Sequence, residues 1–432
     1  MRLAEPADHR VRLALLAGAA VSFAMIGGLS GLVVVFSFVV MLVLHELGHL
    51  LVARWSGMQV TEFFIGFGPR LWSVRRGECT YGVKAIPAGA YVRITGMTNL
   101  DEVDPAVEHR TYRAQSYPRR LAVALAGSAT HFVLALLLLF VLYGLVGTPD
   151  PDRWMVGEVV PGTTAAAIDV RSGDRILSVD GVEVYDFDLF GAVIQSSPGE
   201  TVKVVVERDG SRNVISATIG ERLGPTGVAH GFFGVGRERP LVTVGPLAAV
   251  GDALERFGDL AVMSIDGLAS FFSPDGLARF FTGAISADGP DSGSDDGSES
   301  RLTGNEGVVD ARTVDSQGAT VAPDDADDER LLSIYGAARL GGAMLADGWA
   351  TYLWFLVLVN VFIGVFNLIP LLPLDGGHVA IATYERLRSF GGRRHTADAA
   401  KLVPVTWAVV SLLILVGMVA LYRDIVDLPD LG

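Results

Sequence analysis

The sequence predicts a polytopic α-helical membrane protein of about four transmembrane helices, with a membrane-associated cytoplasmic β-hairpin or sheet and an external β-rich domain. Three observations predict it. Half of the 432 residues are apolar and 19% are charged, with a mean hydropathy of +0.42, too apolar a balance for an ordinary soluble protein. Several uncharged runs reach the roughly 20 residues that a helix needs to cross about 30 Å of hydrocarbon. Between them lie stretches that alternate with a period of two and are punctuated by turn residues.

The elements follow in order. Residues 1–31 are an N-terminal apolar segment whose Gly27-Gly28-Leu29-Ser30-Gly31 cluster marks a break or turn. Within it, residues 13–28 read as an extra helix, a signal-like segment, or sequence ahead of a start at Met25. The first secure span is 32–53. In the loop 54–120, Thr80–Ile86 and Ala90–Ile94 alternate like two strands across a Pro87-Ala88-Gly89 turn, and Phe63–Trp72 completes a small sheet against the membrane. The second span is 121–146. Residues 153–220 form a β-rich module, with strands at Val156–Val160, Arg175–Val179 and Thr201–Arg208, the last two followed by Asp-Gly turns. Residues 221–285 are expected to be an external helical segment, amphipathic over Leu247–Phe272. Residues 286–330 carry thirteen acids against Arg301, Arg312 and Arg330, with too little apolar surface to order themselves, and read as an acidic disordered linker, with a partner-binding role as the alternative. A pre-membrane segment (331–348), a third transmembrane segment (349–378), a loop (379–401) and a fourth span (402–422) complete the chain.

Lysine and arginine near the span ends set the orientation. The loop Arg54–Arg120 carries ten of them and Arg386–Lys401 five, so both face the cytoplasm and the segment of about 147–348 is external. A net charge of −14 with no basic stripe excludes nucleic-acid binding as a main role. Cys79 is the single cysteine, so an intrachain disulfide, a thiolate zinc cage and an iron–sulfur cluster are excluded, and a metal site needs His and carboxylates.

His45-Glu46-Leu47-Gly48-His49 lies in the first span. At a spacing of four, His45 and His49 share a helix face and can hold one Zn²⁺, while Glu46 is placed to take a proton from a water held there. Ionisable side chains are costly at membrane depth, which favours a site over two interfacial histidines. A zinc hydrolase normally has three protein ligands, and the candidate third is Asp375, in the helix-breaking run Asn367-Leu368-Ile369-Pro370-Leu371-Leu372-Pro373-Leu374-Asp375-Gly376-Gly377. At about 1.5 Å per helical residue, His45 and Asp375 reach similar depths below the cytoplasmic loops. His131, in the second span, reaches that depth too, and is read as a helix-packing hydrogen bond, as a residue that supports a ligand or the transition state, or as a further ligand. His378 reads as structural, and His9, His109, His230 and His395 as solvated.

These motifs resemble the bacterial site-2 proteases, intramembrane zinc metalloproteases with an external PDZ domain. The likeness rests on HELGH and NLIPLLPLDGG, on the cytoplasmic Gly66-Phe67-Gly68-Pro69 and Tyr81–Pro87 strings, and on Ser172–Gly181 in the β module, and the cytoplasmic strings look most like actinobacterial members. The resemblance implies that His45, His49 and Asp375 bind Zn²⁺, that Glu46 is the general base, and that Asn367 and Pro370 position the substrate. It implies that the Tyr81–Ile94 element engages an unwound substrate strand and that the β module is PDZ-like. It also implies single-pass transmembrane substrates of anti-sigma-factor type, pre-trimmed by another protease, and regulated intramembrane proteolysis in the cell membrane. Three departures stand out: Gly127-Ser128-Ala129-Thr130-His131 replaces the usual Gly-Pro-x-x-Asn, Pro87-Ala88-Gly89-Ala90 replaces Pro-x-Gly-Gly, and 286–330 looks like an insertion. The alternatives are a catalytically silent PDZ-bearing membrane adaptor, against which intact Glu46 argues, and a metal transporter, whose typical inverted repeats are not evident.

Overall fold

The apolar run that begins near Leu13 is too long for one straight span, and the chain resolves this with a long helix interrupted at one glycine. The computed structural model describes residues 9–150, 153–223, 228–285, 333–389 and 395–426; the acidic segment 286–330 lies outside them. Helix α1 (His9–Trp55) is broken at Gly28, whose φ of 63° and ψ of −172° lie outside helical space. Two long strands follow, β1 (Val60–Arg76) and β2 (Cys79–Ile94), then α2 (Tyr117–Val141). Short strands β3 (Thr148–Pro149) and β4 (Met155–Val159), helix α3 (Thr164–Ala167), strands β5 (Arg175–Val179) and β6 (Val182–Glu183), and helix α4 (Phe187–Gln195) come next. They are followed by β7 (Thr201–Arg208), β8 (Ser211–Thr218), β9 (Gly220–Leu223), β10 (Ala229–Phe232), β11 (Val235–Glu238) and β12 (Leu241–Val242). Six helices close the chain: α5 (Pro246–Phe271), α6 (Pro274–Ile285), α7 (Ile334–Ala346), α8 (Trp349–Phe366), α9 (Asp375–Arg388) and α10 (Val403–Val426).

The chain divides into two units, the β-rich one over 142–246 and the helical one formed by the described residues on either side of it. Among the described residues four stretches are long and apolar enough to cross a membrane: Gly28–Trp55, Tyr117–Val146, Trp349–Phe366 and Val403–Ile425. Helix α10 leaves Val405, Trp407, Ile414, Met418 and Tyr422 exposed, a surface suited to hydrocarbon rather than water. The third stretch differs from the expected 349–378: the helix ends at Phe366, and α9 begins at Asp375 and fills the first part of the expected loop. The cause is local, because Pro370 and Pro373 cannot continue α8.

The two strands expected to face each other across Pro87-Ala88-Gly89 do not pair. Glu62–Ile65 of β1 lies between them, bonded to Thr80–Val83 on one side and to Ala90–Arg93 on the other. Gly66 and Gly68, both at positive φ, let β1 bend so that Arg70–Arg76 returns along Lys84–Cys79. The Ala90–Ile94 stretch is thus an edge strand. Leu50, Ala53, Met58, Val60, Phe63, Cys79, Ile94, Tyr112 and Val123 form one core that fixes this sheet to the ends of α1 and α2.

Arg120 at the start of α2 and Glu385 near the end of α9 form a buried ion pair at 2.5 Å, each side chain 11% exposed. The second Glu385 oxygen accepts from the Ala397 N–H at 2.6 Å. Removing one partner leaves an unpaired buried charge, so Glu385→Ala should lower stability by about 3–5 kcal/mol. The Arg120→Met/Glu385→Met double variant should recover much of that loss, as read by thermal unfolding in detergent.

In the β-rich unit a four-stranded sheet has the order β6-β5-β7-β8, with smaller ladders β4–β11, β9–β10 and β3–β12. Trp154, Ile176, Phe190, Val204, Ile219 and Phe233 belong to its core. The described residues of 221–245, expected to be helical, carry strands β9 to β12 instead, which are too short and too broken by Gly231, Gly234 and Gly236 to show a clear period of two. Asp174 is buried and accepts two hydrogen bonds from the Arg208 guanidinium, both at 2.6 Å, and one from the Arg171 N–H at 2.8 Å. Burial opposes its charge, but these donors hold its pKa below the usual aspartate value. The stability this gives is therefore complete above the unfolded-state pKa and is lost as pH falls through the lowered folded one. Amide-exchange protection of β7 and β8 should fall over that acid window in the wild type, and Asp174→Asn should start lower and lack that step.

Candidate active site

His45 and His49 lie one turn apart on α1, where Gly48 permits close approach to α2: a Cβ there would sit 2.8 Å from the Ala126 carbonyl oxygen. Gly127 of α2 faces the histidines directly, and a Cβ on it would fall 2.5 Å from Nε2 of each. Asp375 comes from the other side as the first residue of α9, where the helix dipole favours a carboxylate. Its loop is pinned by the Gly376 N–H, which donates to the Asn367 carbonyl at 2.7 Å. Gly376 packs on the carbonyls of Leu368 and Ile369 with no space for a side chain.

The Nε2 atoms of His45 and His49 are 3.2 Å apart, and Oδ2 of Asp375 is 3.4 Å and 3.3 Å from them. These three atoms form the one cluster of its kind among the described residues. Their separations are those of a tetrahedral site, since bonds of about 2.0–2.1 Å to zinc give edges of roughly 3.3–3.4 Å. Asp375 Oδ2 is buried with no hydrogen-bond partner, as suits an atom kept for a cation. The donor set therefore fits Zn²⁺. Nδ1 of His49, turned away from the cluster, donates to the Val123 carbonyl at 2.7 Å, which fixes the tautomer that leaves Nε2 free to ligate.

Glu46 is adjacent on the same helix, and its carboxylate accepts from the Val92 N–H at 3.0 Å. Val92 stands on the edge strand of the small sheet, opposite Phe63, so its N–H points away from β1 to the base. On that strand the Tyr91 hydroxyl donates to Glu62 at 2.6 Å and accepts from Lys84 at 2.8 Å. Asn367 and Pro370 lie in the turn before Asp375 and outside the metal cluster. His131 is fully buried, with its ring 5.2 Å from that of His45, and it too lies outside the cluster. His378 packs edge-on to Tyr112 at 6.3 Å. His109 and His230 are exposed, whereas His395 is half-buried against Tyr384 rather than fully solvated. Sequence reasoning missed Asn360, whose Oδ1 meets His131 Nδ1 at 2.9 Å. Its signal was available, as Asn360 is the one amide side chain within the apolar α8.

Two buried histidines on an apolar helix, a carboxylate that completes three corners of a tetrahedral site with them, and a neighbouring glutamate define a membrane metallohydrolase. The family model for peptidase family M50 matches residues 33–293 and 310–414. The chain belongs to that family, the zinc metalloproteases of site-2 type that act within membranes. It is 31% identical over 425 residues to the zinc metalloprotease Rip1 of Mycobacterium tuberculosis, covering 91% of this chain and 97% of that one. It is 30% identical over 440 residues to Rip1 of Mycolicibacterium smegmatis, covering 93% and 98%. A solved PDZ domain from Listeria monocytogenes matches 20% of this chain and 87% of its own, at 22% identity and a TM-score of 0.18.

Proposed function

We propose that this protein hydrolyses peptide bonds inside the transmembrane segments of single-pass membrane proteins of anti-sigma-factor type, after another protease has trimmed them outside the membrane. The observation that carries the reading is the His45, His49 and Asp375 cluster at membrane depth with Glu46 beside it. His45, His49 and Asp375 hold the metal, and Zn²⁺ when bound supplies Lewis acidity and makes the attacking water more acidic. Glu46 accepts the water's proton and returns it to the leaving amine. Asn367 and Pro370 position the substrate at the turn that carries Asp375. A substrate helix hides its carbonyls in its own hydrogen bonds, so it must unwind first, and the edge strand Ala90–Ile94, whose Val92 N–H is held by Glu46, offers its other outward backbone groups to the extended strand. The protein is multi-pass in the cell membrane, with the site toward the cytoplasm and a PDZ-like domain outside that screens or docks trimmed substrates.

The test is cleavage of a truncated single-pass substrate in proteoliposomes. Stripping the metal with a chelator should abolish cleavage, and one equivalent of Zn²⁺ per chain should restore it. Cleavage that persists in a metal-free preparation would overturn the reading, as would a zinc-loaded protein that cuts no single-pass substrate and only binds them.

A further inference from the structure

Three buried polar atoms beside the cluster have no hydrogen-bond partner: Nδ1 of His45, Nε2 of His131 and Oγ of Ser128. Their residues are 7%, 0% and 1% exposed. A buried polar group without a partner is costly, and three in one region call for a common explanation.

The surrounding hydrogen bonds fix the polarity of each ring. Asn360 donates through Nδ2 to the Leu356 carbonyl at 2.7 Å, so its Oδ1 is the atom turned to His131. His131 therefore carries its hydrogen on Nδ1, and its Nε2 is a bare acceptor. His45 presents Nε2 to His49 and Asp375, so its hydrogen is on Nδ1. An unpaired donor and an unpaired acceptor thus stand on rings whose centroids are 5.2 Å apart, inclined at 45°. Ser128 lies three residues before His131, on the same face of α2, and its hydroxyl can give or accept. One water accepting from His45, donating to His131 and bonded to Ser128 would have the roughly three partners usual for buried water.

We propose that Ser128, His131 and Asn360 form a buried relay, closed by one ordered water, that holds the outer nitrogen of His45 and sets that ring for the metal. The proposal rests on the reading of His45 as a ligand. Metal-ligating histidines almost always give their second N–H to an acceptor, and losing that acceptor weakens metal binding by about 10–100-fold. His49 has such an acceptor in the Val123 carbonyl; for His45 the relay supplies it. His131 and Asn360 are positioning residues that touch no reacting atom.

The experiment measures zinc affinity of the full-length protein in detergent by competition with a chromophoric chelator, independently of cleavage. His131→Phe and Asn360→Leu should each bind zinc about 10–100-fold more weakly than wild type. His131→Gln, with an amide oxygen near the place of Nε2, should keep most of the affinity, and the Phe/Leu double variant should be no weaker than the worse single one. Should His131→Phe fail to fold, Asn360→Leu against Asn360→Asp decides, because the aspartate keeps the acceptor for His131 Nδ1–H. Wild-type affinity in Asn360→Leu, or equal losses in the matched conservative and disruptive variants, would overturn the relay alone. A wild-type protein that binds no zinc would overturn the ligand reading and the relay with it.

Discussion

Gly127→Ala should strip the protein of zinc and, with it, of peptidase activity. The added methyl would stand 2.5 Å from Nε2 of both His45 and His49, in the space their ligating atoms use. Helix α2 cannot retreat cheaply. At Gly48 the two helices are already in backbone contact, and His49 Nδ1 is bonded to the Val123 carbonyl one turn before Gly127. The histidines must therefore rotate out of register with Asp375. Zinc content should fall from one per chain to a small fraction, with cleavage falling in step. Gly417→Ala is the matched control, since a Cβ there meets nothing within 4 Å of its place in α10, and zinc and cleavage should stay at wild-type levels. Stoichiometric zinc in Gly127→Ala would show that α1 and α2 are not held as closely as described.

Glu46→Gln should behave in the opposite way, keeping its zinc and losing its chemistry. Glutamine has the same shape and can still accept from the Val92 N–H, so the packing around α1 and the small sheet is preserved. It cannot take a proton from water. General-base catalysis contributes about 10²–10⁴-fold, so kcat on a single-pass substrate should drop by that factor with little change in zinc content. Equal turnover by both proteins would remove Glu46 from the proton path, whereas no turnover by either, with substrate still bound, would favour a binding role for the whole molecule. Together the two variants separate metal retention from proton transfer.

Much of the candidate site is legible in the sequence because its residues are costly where they stand. His45, Glu46, His49 and Asp375 are ionisable groups in apolar surroundings, and the spacing of four puts the first three on one helix. The turns Asp180-Gly181 and Asp209-Gly210 likewise marked β5 and β7, because Asp180 and Asp209 sit at positive φ. What could not be read was partnership. Alternation in Thr80–Ile86 and Ala90–Ile94 shows two strands, but nothing local says that Glu62–Ile65 divides them. The helical start at Asp375 was hidden because two glycines follow it. Their low helix propensity is outweighed by the close approach of Leu368 and Leu372, a tertiary fact. Gly127 read as part of a departure from a family pattern, and its contact with the histidines exists only once α1 and α2 cross.

The ligand set is also ordered in time. On the proposed assignment, two ligands and the base lie in the first 49 residues, while the third, Asp375, leaves the ribosome more than three hundred residues later. At synthesis rates of about 5–20 residues per second, the interval is on the order of tens of seconds. Until then, the first two spans and the β-rich unit are complete while the metal site has only two of its three protein ligands. A peptidase made beside newly inserted membrane proteins thus stays incomplete until the turn after α8 has been made. The late arrival of one carboxylate does for this enzyme what a removable pro-segment does for a secreted protease.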